Sequence, residues 1–305
     1  MGFLKNNTHL LGLVYAVSTA LCWSVLAILL KNALSFADSK TIVAFRMIFA
    51  FAMAFPISAY FFPSHLKLFK RPPFYLILGS LGLAFNYLGF MKGVELSSAS
   101  NAQVMIQLGP LILMLSGFFV FKEGLKLGQG LWLLLAVFGF LLFFSDQYEF
   151  GVAKDLVSAN IWIFFGALTW AWYCLVIKHY TKKGYSTFEL NLIVFLCCAI
   201  VLSFGIDFDA IKTYSLNQWI FLSFLGLNTL VAYGALGQAL KYAPASQVSI
   251  IITTNPILTL LIIGVGAPLT TLIPYEPVTF LGYFGALLVI SGVVFSTLQG
   301  MKSKA

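Results

Sequence analysis

Apolar runs of about 20 residues, separated by short polar stretches, follow one another along the whole chain. The hydrocarbon core of a bilayer is about 30 Å thick and takes about 20 helical residues to cross, so each run predicts a transmembrane helix. Ten runs qualify, at residues 10–30, 41–62, 73–92, 99–120, 127–145, 159–178, 187–205, 217–240, 246–265 and 278–298. The first is long enough to span, which distinguishes it from the shorter apolar core of a cleavable signal. The intervals leave no room for a soluble domain. The longest, from Ser145 to Asn160, carries Asp146, Glu149, Lys154 and Asp155. It divides the chain into residues 1–145, a linker at 146–158 and residues 159–305, with five predicted spans on each side.

The two sides repeat one another. Residues 93–139 and 239–292 share a pattern in which Ala99-Ser100 matches Ala245-Ser246 and Pro110 matches Pro256, each 146 positions later. Glu123 lies 16 residues before Gly139, and Glu276 lies 16 before Gly292; the second copy carries seven extra residues between Pro256 and Glu276. Because five is an odd number, the second half must enter the membrane upside down relative to the first. Inverted repeats of this kind predict a solute site near the midplane, between the halves. The expected fold is therefore an all-α membrane protein, ten transmembrane helices as two inverted five-helix repeats around a central cavity.

Charge sets the orientation. The chain has 18 Lys and Arg and 10 Asp and Glu. With the N-terminus in the cytoplasm, twelve basic residues fall in inner segments. Five fall outside, namely Lys31, Lys40, Lys92, Lys154 and Lys212, and Arg46 lies within a span. The positive-inside rule then places both termini in the cytoplasm of a plasma or bacterial inner membrane. The net charge of +8 is dispersed over short loops, which excludes a nucleic-acid footprint. Composition agrees: 60% of residues are hydrophobic, 9% are charged and mean hydropathy is +0.95, values no soluble domain tolerates. Cys22, Cys174, Cys197 and Cys198 lie inside apolar runs without metal-ligand spacing and read as buried thiols.

Several short motifs then carry a resemblance. Ala20-Leu21-Cys22-Trp23 stands in the first span, Arg46 early in the second, and Ser98-Ala99-Ser100-Asn101-Ala102 between the third and fourth. Pro110, Glu123 and Gly139 follow, and the second half repeats Ala245-Ser246, Pro256 and Glu276-Pro277-Val278-Thr279, with Gly285 and Gly292. In this order, over nearly the whole chain, they resemble the drug/metabolite transporter superfamily, EamA type. Lys122 departs from the glycine common before the first-repeat glutamate, and the second half lacks a counterpart of Arg46. The resemblance implies a central cavity lined by the first, third, fourth, sixth, eighth and ninth helices. It also implies export or exchange of amino acids, metabolites, nucleotide sugars or lipophilic compounds.

Polar side chains inside the spans are the site candidates, because each is costly in lipid unless satisfied. Gln103 and Gln107 are four apart on one helical face and correspond to Ser249 and Thr253 in the second half. Tyr87 corresponds to Tyr233, and Trp23 to Trp170 at an offset of 147. Asn86 and Asn228 complete the set of cavity candidates. Helix–helix hydrogen bonding, the interfacial aromatic belt and plain packing compete with cavity lining for all of these. Arg46 admits three readings: an ion pair, snorkelling to the nearer surface, or contact with an anionic group of the solute. Pro110 and Pro256 lie mid-span and free a backbone carbonyl, as hinges or fixed bends. Glu123 and Glu276 sit at loop–helix junctions and suit helix capping better than proton coupling.

No nucleophile–base pair, carboxylate pair or metal set is placed in the spans, and no phosphate-binding loop occurs, so the expectation is a non-enzyme with no cofactor and no metal. The expected partners are a small-molecule solute and the lipid bilayer, without nucleic acid, in a monomer or a homodimer. The expected activity is secondary transport of a small organic solute, an amino acid or other metabolite or drug-like compound, in the export direction by alternating access. The alternative is a flippase of the same fold for a lipid or lipid-linked substrate.

Overall fold

The computed structural model describes residues 2–112, 127–149, 155–243, 248, 251–270, 273 and 275–302. Among these residues the protein is helical throughout, with no strand. The helices are α1 (Gly2–Ala33), α2 (Ser39–Phe61), α3 (Phe74–Leu96), α4 (Ala99–Met105), α5 (Leu127–Glu149) and α6 (Leu156–Lys182). They continue as α7 (Thr187–Ser203), α8 (Phe208–Ile211), α9 (Leu216–Tyr242), α10 (Asn255–Gly266) and α11 (Phe280–Lys302), and a 3₁₀ segment, Pro63–Lys70, joins α2 to α3. Six helices contain a stretch long and apolar enough to cross a membrane: His9–Ala33, Ser39–Phe61, Phe74–Leu96, Gly128–Tyr148, Leu156–Thr181 and Leu216–Ala239. Shorter apolar helices cover Thr187–Ser203, Ile251–Gly266 and Phe280–Ser296. Outward faces carry large apolar side chains such as Phe165, Phe204 and Phe280. Lipid tolerates these, and water would not.

Local chemistry sets the helix ends. The Asp38 carboxylate accepts from the amides of Lys40 and Thr41 and starts α2. Ser186 and Glu189 form a reciprocal capping box on α7, and Ser215 and Gln218 do the same on α9. Asp155 caps α6 by accepting from Ser158 N at 3.1 Å, and the bonds from Ser158 hold its carboxyl below the usual carboxylate range. Gly184, at φ +93°, turns the chain after α6, a conformation that costs glycine nothing.

The helices pack in pairs related by exchange of the halves. α5 lies against α11, α3 against α6, α1 against α9, and α2 against α7. The α5–α11 pair runs antiparallel: Gly139 meets Gly285 near its centre, Gln129 reaches the Ser296 carbonyl at one end, and Asp146 meets Thr279 at the other. A Cβ on Gly139 would lie 2.7 Å from the Gly285 carbonyl oxygen, so the two backbones touch only because neither residue has a side chain. The α3–α6 pair is built the same way, with a Cβ on Gly89 falling 2.5 Å from the Trp162 carbonyl oxygen.

Two differences from the expected spans bear on the site. The polar stretch expected as linker begins later, because Asp146 and Gln147 are buried within α5, where the Asp146 carboxylate accepts from Thr279 Oγ1. The stretches expected as the fourth and ninth spans are also interrupted within the described residues. α4 stops at Met105, Ile106 and Gln107 form a turn, and helix resumes over residues 108–112. Residues 251–253 are likewise helical, Thr254 forms a turn, and α10 starts at Asn255. Pro110 and Pro256 stand just after these breaks, where the first turn of a new helix needs no amide donor.

Candidate functional site

Four helices bring one set of buried polar and aromatic side chains together at mid-depth. Arg46, on α2, is 3% exposed and donates from Nε to Thr229 Oγ1 of α9 at 3.0 Å. Its guanidinium lies over the Tyr87 ring of α3, 4.7 Å from the centroid, a favourable cation–π placement. Tyr87 neighbours Tyr233 of α9, with centroids 6.4 Å apart, and Tyr233 meets Trp23 of α1 edge-on at 5.8 Å. Tyr87, Tyr233 and Thr229 are all buried. The 146-residue repeat thus places its two tyrosines side by side.

The broken helices join this cluster. Gln103, on α4, donates from Nε2 to the Trp23 carbonyl at 2.6 Å and lies 3.4 Å from Asn255 Oδ1, at the first residue of α10. The two broken helical stretches meet there. Gln107, in the turn, reaches back to the Gln103 carbonyl at 3.5 Å, while its own Oε1 is buried without a hydrogen-bond partner. Thr253, one position before the second break, is buried. Trp170 of α6 packs on the backbone of Gly109, just after the first break. Asn228 donates to the Cys22 carbonyl at 3.1 Å, and its Oδ1 is buried and unpartnered. Asn86 sits apart from this group, bonded to the Gly166 carbonyl of α6 at 3.0 Å as an interhelical tie. Ser249 lies outside the described residues, as does Glu123.

Space opens on one side of the cluster. A cavity of about 200 Å³ between α2, α7 and α9 is lined by Ala54, Ile57, Phe188, Asn191, Phe195, Leu230 and Gly234. Phe195 belongs to both regions, since its ring lies 6.1 Å from that of Tyr233. A second, more open groove of about 320 Å³ runs along α4, α5 and α6 past Asn160 and Phe164. Asn160 accepts from Asn101 Nδ2 at 2.9 Å.

The opposite end of the cluster is fastened. Glu276 accepts from the amides of Ala99 and Ser100, one on each carboxylate oxygen, both at 2.8 Å. The acid therefore caps a helix, but the helix is α4 of the other repeat, 177 positions away. Beside it Lys31, at the end of α1, donates to the carbonyls of Val94 and Ser97 at 2.8 and 2.6 Å. Thr229, Glu276 and Lys31 are not among the cavity candidates that the sequence offers. Their polarity inside or beside apolar runs was visible; their partners, far off in sequence, were not. Among the described residues no group of three His, Cys, Asp or Glu side chains could hold a metal ion.

Comparison with known proteins places this architecture. The model of the EamA-like transporter family matches residues 10–145 and again residues 157–298. The chain belongs to the EamA-like transporter family. This EamA protein is 30% identical over 299 residues to a Haemophilus influenzae protein described as an uncharacterized transporter, covering 95% of each chain. It is 28% identical to the Escherichia coli protein YhbE, described as an uncharacterized inner membrane transporter, covering 94% of this chain and 91% of that one. A solved crystal structure superposes with a TM-score of 0.66 at 16% identity, covering 94% of this chain and 97% of that one, a likeness of fold alone. The EamA protein is a multi-pass membrane transporter.

Proposed function

We propose that this EamA protein carries a small organic solute across the bacterial inner membrane by alternating access between two inverted five-helix repeats, in the export direction. The observation that carries the reading is the pair of helix breaks at Ile106–Gln107 and Thr254, which meet through Gln103 and Asn255. Discontinuous helices at equivalent points of two repeats supply polar backbone at the midplane, where a solute must shed water. The antiparallel α5–α11 contact supports the inversion, because the closing helices of two parallel repeats would run side by side in the same direction. The cavity lies toward the end carrying Lys67, Lys70 and Lys183, which the positive-inside rule makes cytoplasmic. The Glu276 and Lys31 contacts close the other end, so the arrangement corresponds to an inward-facing carrier. Trp23, Tyr87 and Tyr233 suit a solute with an apolar or aromatic body.

The test is uptake and counterflow in proteoliposomes with labelled amino acids, nucleosides, sugars and organic ions. Saturable, trans-stimulated movement of one class is expected, and Gln107→Leu should abolish or retune it while leaving expression intact. The apolar lining of the cavity between α2, α7 and α9 favours one second reading, a lipid flippase. Movement of labelled phospholipid with no movement of any water-soluble compound would replace the carrier reading with that one.

A further inference from the structure

Arg46 is a permanent cation in the interior of a membrane protein, since a guanidinium stays protonated at any working pH. Its neighbours are neutral: Thr229 on Nε and the face of Tyr87. The ion pairs among the described residues are Lys92–Glu95 and Lys212–Asp209, both near helix ends. Among the described residues, the buried acids are committed elsewhere, Glu276 to the amides of Ala99 and Ser100, and Asp146 to Thr279. Among the described residues no carboxylate pairs with Arg46, and a buried charge without a counter-charge is among the costliest features a fold can carry. A counter-ion that comes and goes with the transport cycle accounts for its presence.

Charge balance then narrows the solute. The cluster holds one cation and, among the described residues, no second Lys, Arg or His. A solute of charge −1 makes the loaded site neutral. A zwitterion leaves it at +1 with an ammonium facing no carboxylate, and a dianionic phosphate leaves it at −1. With Nε committed to Thr229, the guanidinium keeps the N–H groups of its two terminal nitrogens, the fork that suits a carboxylate. Trp23, Tyr87 and Tyr233 offer ring faces and edges to the solute body. Gln107 Oε1 and Asn228 Oδ1, buried without partners, call for neutral donors such as a hydroxyl.

Resting on the carrier reading above, we propose that Arg46 anchors the carboxylate of an aromatic monocarboxylate bearing a hydroxyl, and that the site selects against the corresponding zwitterion. The probes are three labelled compounds that share one ring: 3-(4-hydroxyphenyl)propionate, tyrosine and tyramine. In proteoliposomes the propionate should move saturably, at least about tenfold faster than either of the others, because each of those leaves a charge unpaired in the site. Arg46→Gln should abolish propionate transport. Its thermal unfolding midpoint in detergent should equal or exceed that of the wild type, because the variant loses an uncompensated charge. The propionate should raise the midpoint of the wild type alone. Preferred movement of tyrosine or tyramine, undiminished propionate transport in Arg46→Gln, or failure of that variant to fold would each overturn the proposal. If none of the three compounds moves while another solute class does, the carrier reading stands and this one falls. If nothing moves in folded protein, both fall.

Discussion

Glu276 should act as a latch between the repeats, and Glu276→Gln should release it. The carboxylate receives two amide N–H bonds of 2.8 Å from the first turn of α4. A hydrogen bond to a charged acceptor contributes about 1.5–3 kcal/mol. Glutamine keeps one neutral acceptor and turns an NH₂ group toward the second amide, so one charged bond is lost and the other is weakened. The expected loss is about 2–3 kcal/mol, which shifts the ratio of fastened to released states by about 30- to 150-fold. Ser100, fully buried beneath the carboxylate, offers a reporter. In a background with Cys22, Cys174, Cys197 and Cys198 replaced, Ser100→Cys should react slowly with a membrane-impermeant maleimide. Adding Glu276→Gln should raise that rate by one to two orders of magnitude, the range set by the energy above. Lys31→Met, which removes the neighbouring bonds to Val94 and Ser97, should push it in the same direction. An unchanged labelling rate in Glu276→Gln would refute the latch.

Other outcomes follow from the packing. Gly89→Val puts side-chain carbons where the Trp162 carbonyl already lies and should destabilise the α3–α6 pair by about 1–3 kcal/mol, seen as a lower unfolding midpoint in detergent. Pro256→Ala gives back an amide that the first turn of α10 does not need and loosens the unfolded chain, so it should lower the unfolding midpoint in detergent, by an amount set by about 0.4–1 kcal/mol, while slowing transport in the proteoliposome assay. Ser186→Ala removes half of the capping box on α7, at a cost of about 1 kcal/mol, and should leave transport rates intact once the protein is folded.

Hydropathy alone located most of the apolar helices, because a span is a local property of about 20 residues. The helices run further than the apolar runs, however. α1 reaches Ala33 and α6 reaches Lys182, since backbone hydrogen bonding continues into the polar headgroup layer, where hydropathy has already fallen. Pro110 and Pro256 announced irregular backbone, yet the breaks fall at Ile106–Gln107 and Thr254, ahead of the prolines. A proline marks the start of the new helix segment more than the end of the old one. Arg46 was legible as an anomaly, but its partner Thr229 stands 183 positions away and has no motif of its own. Glu276 reads as a cap from its place at a loop–helix junction, and only the folded chain reveals that it caps the other repeat. Position 146 shows the limit of polarity as a boundary signal, because Asp146 and Gln147 are polar and yet buried inside α5, satisfied by α11 and the residues before it.

The glycine contact between α5 and α11 also sets a timetable for the ribosome. Gly139 and Gly285 are 146 positions apart, and a translating ribosome adds about 5–20 residues per second. The glycine face of α5 therefore waits roughly 7–30 seconds after its own synthesis before α11 exists to cover it. During that time lipid, an insertion factor or another nascent chain must occupy the seam. Truncation before α11 would leave the seam bare permanently, and quality-control proteases of the membrane would find such fragments by that exposed groove.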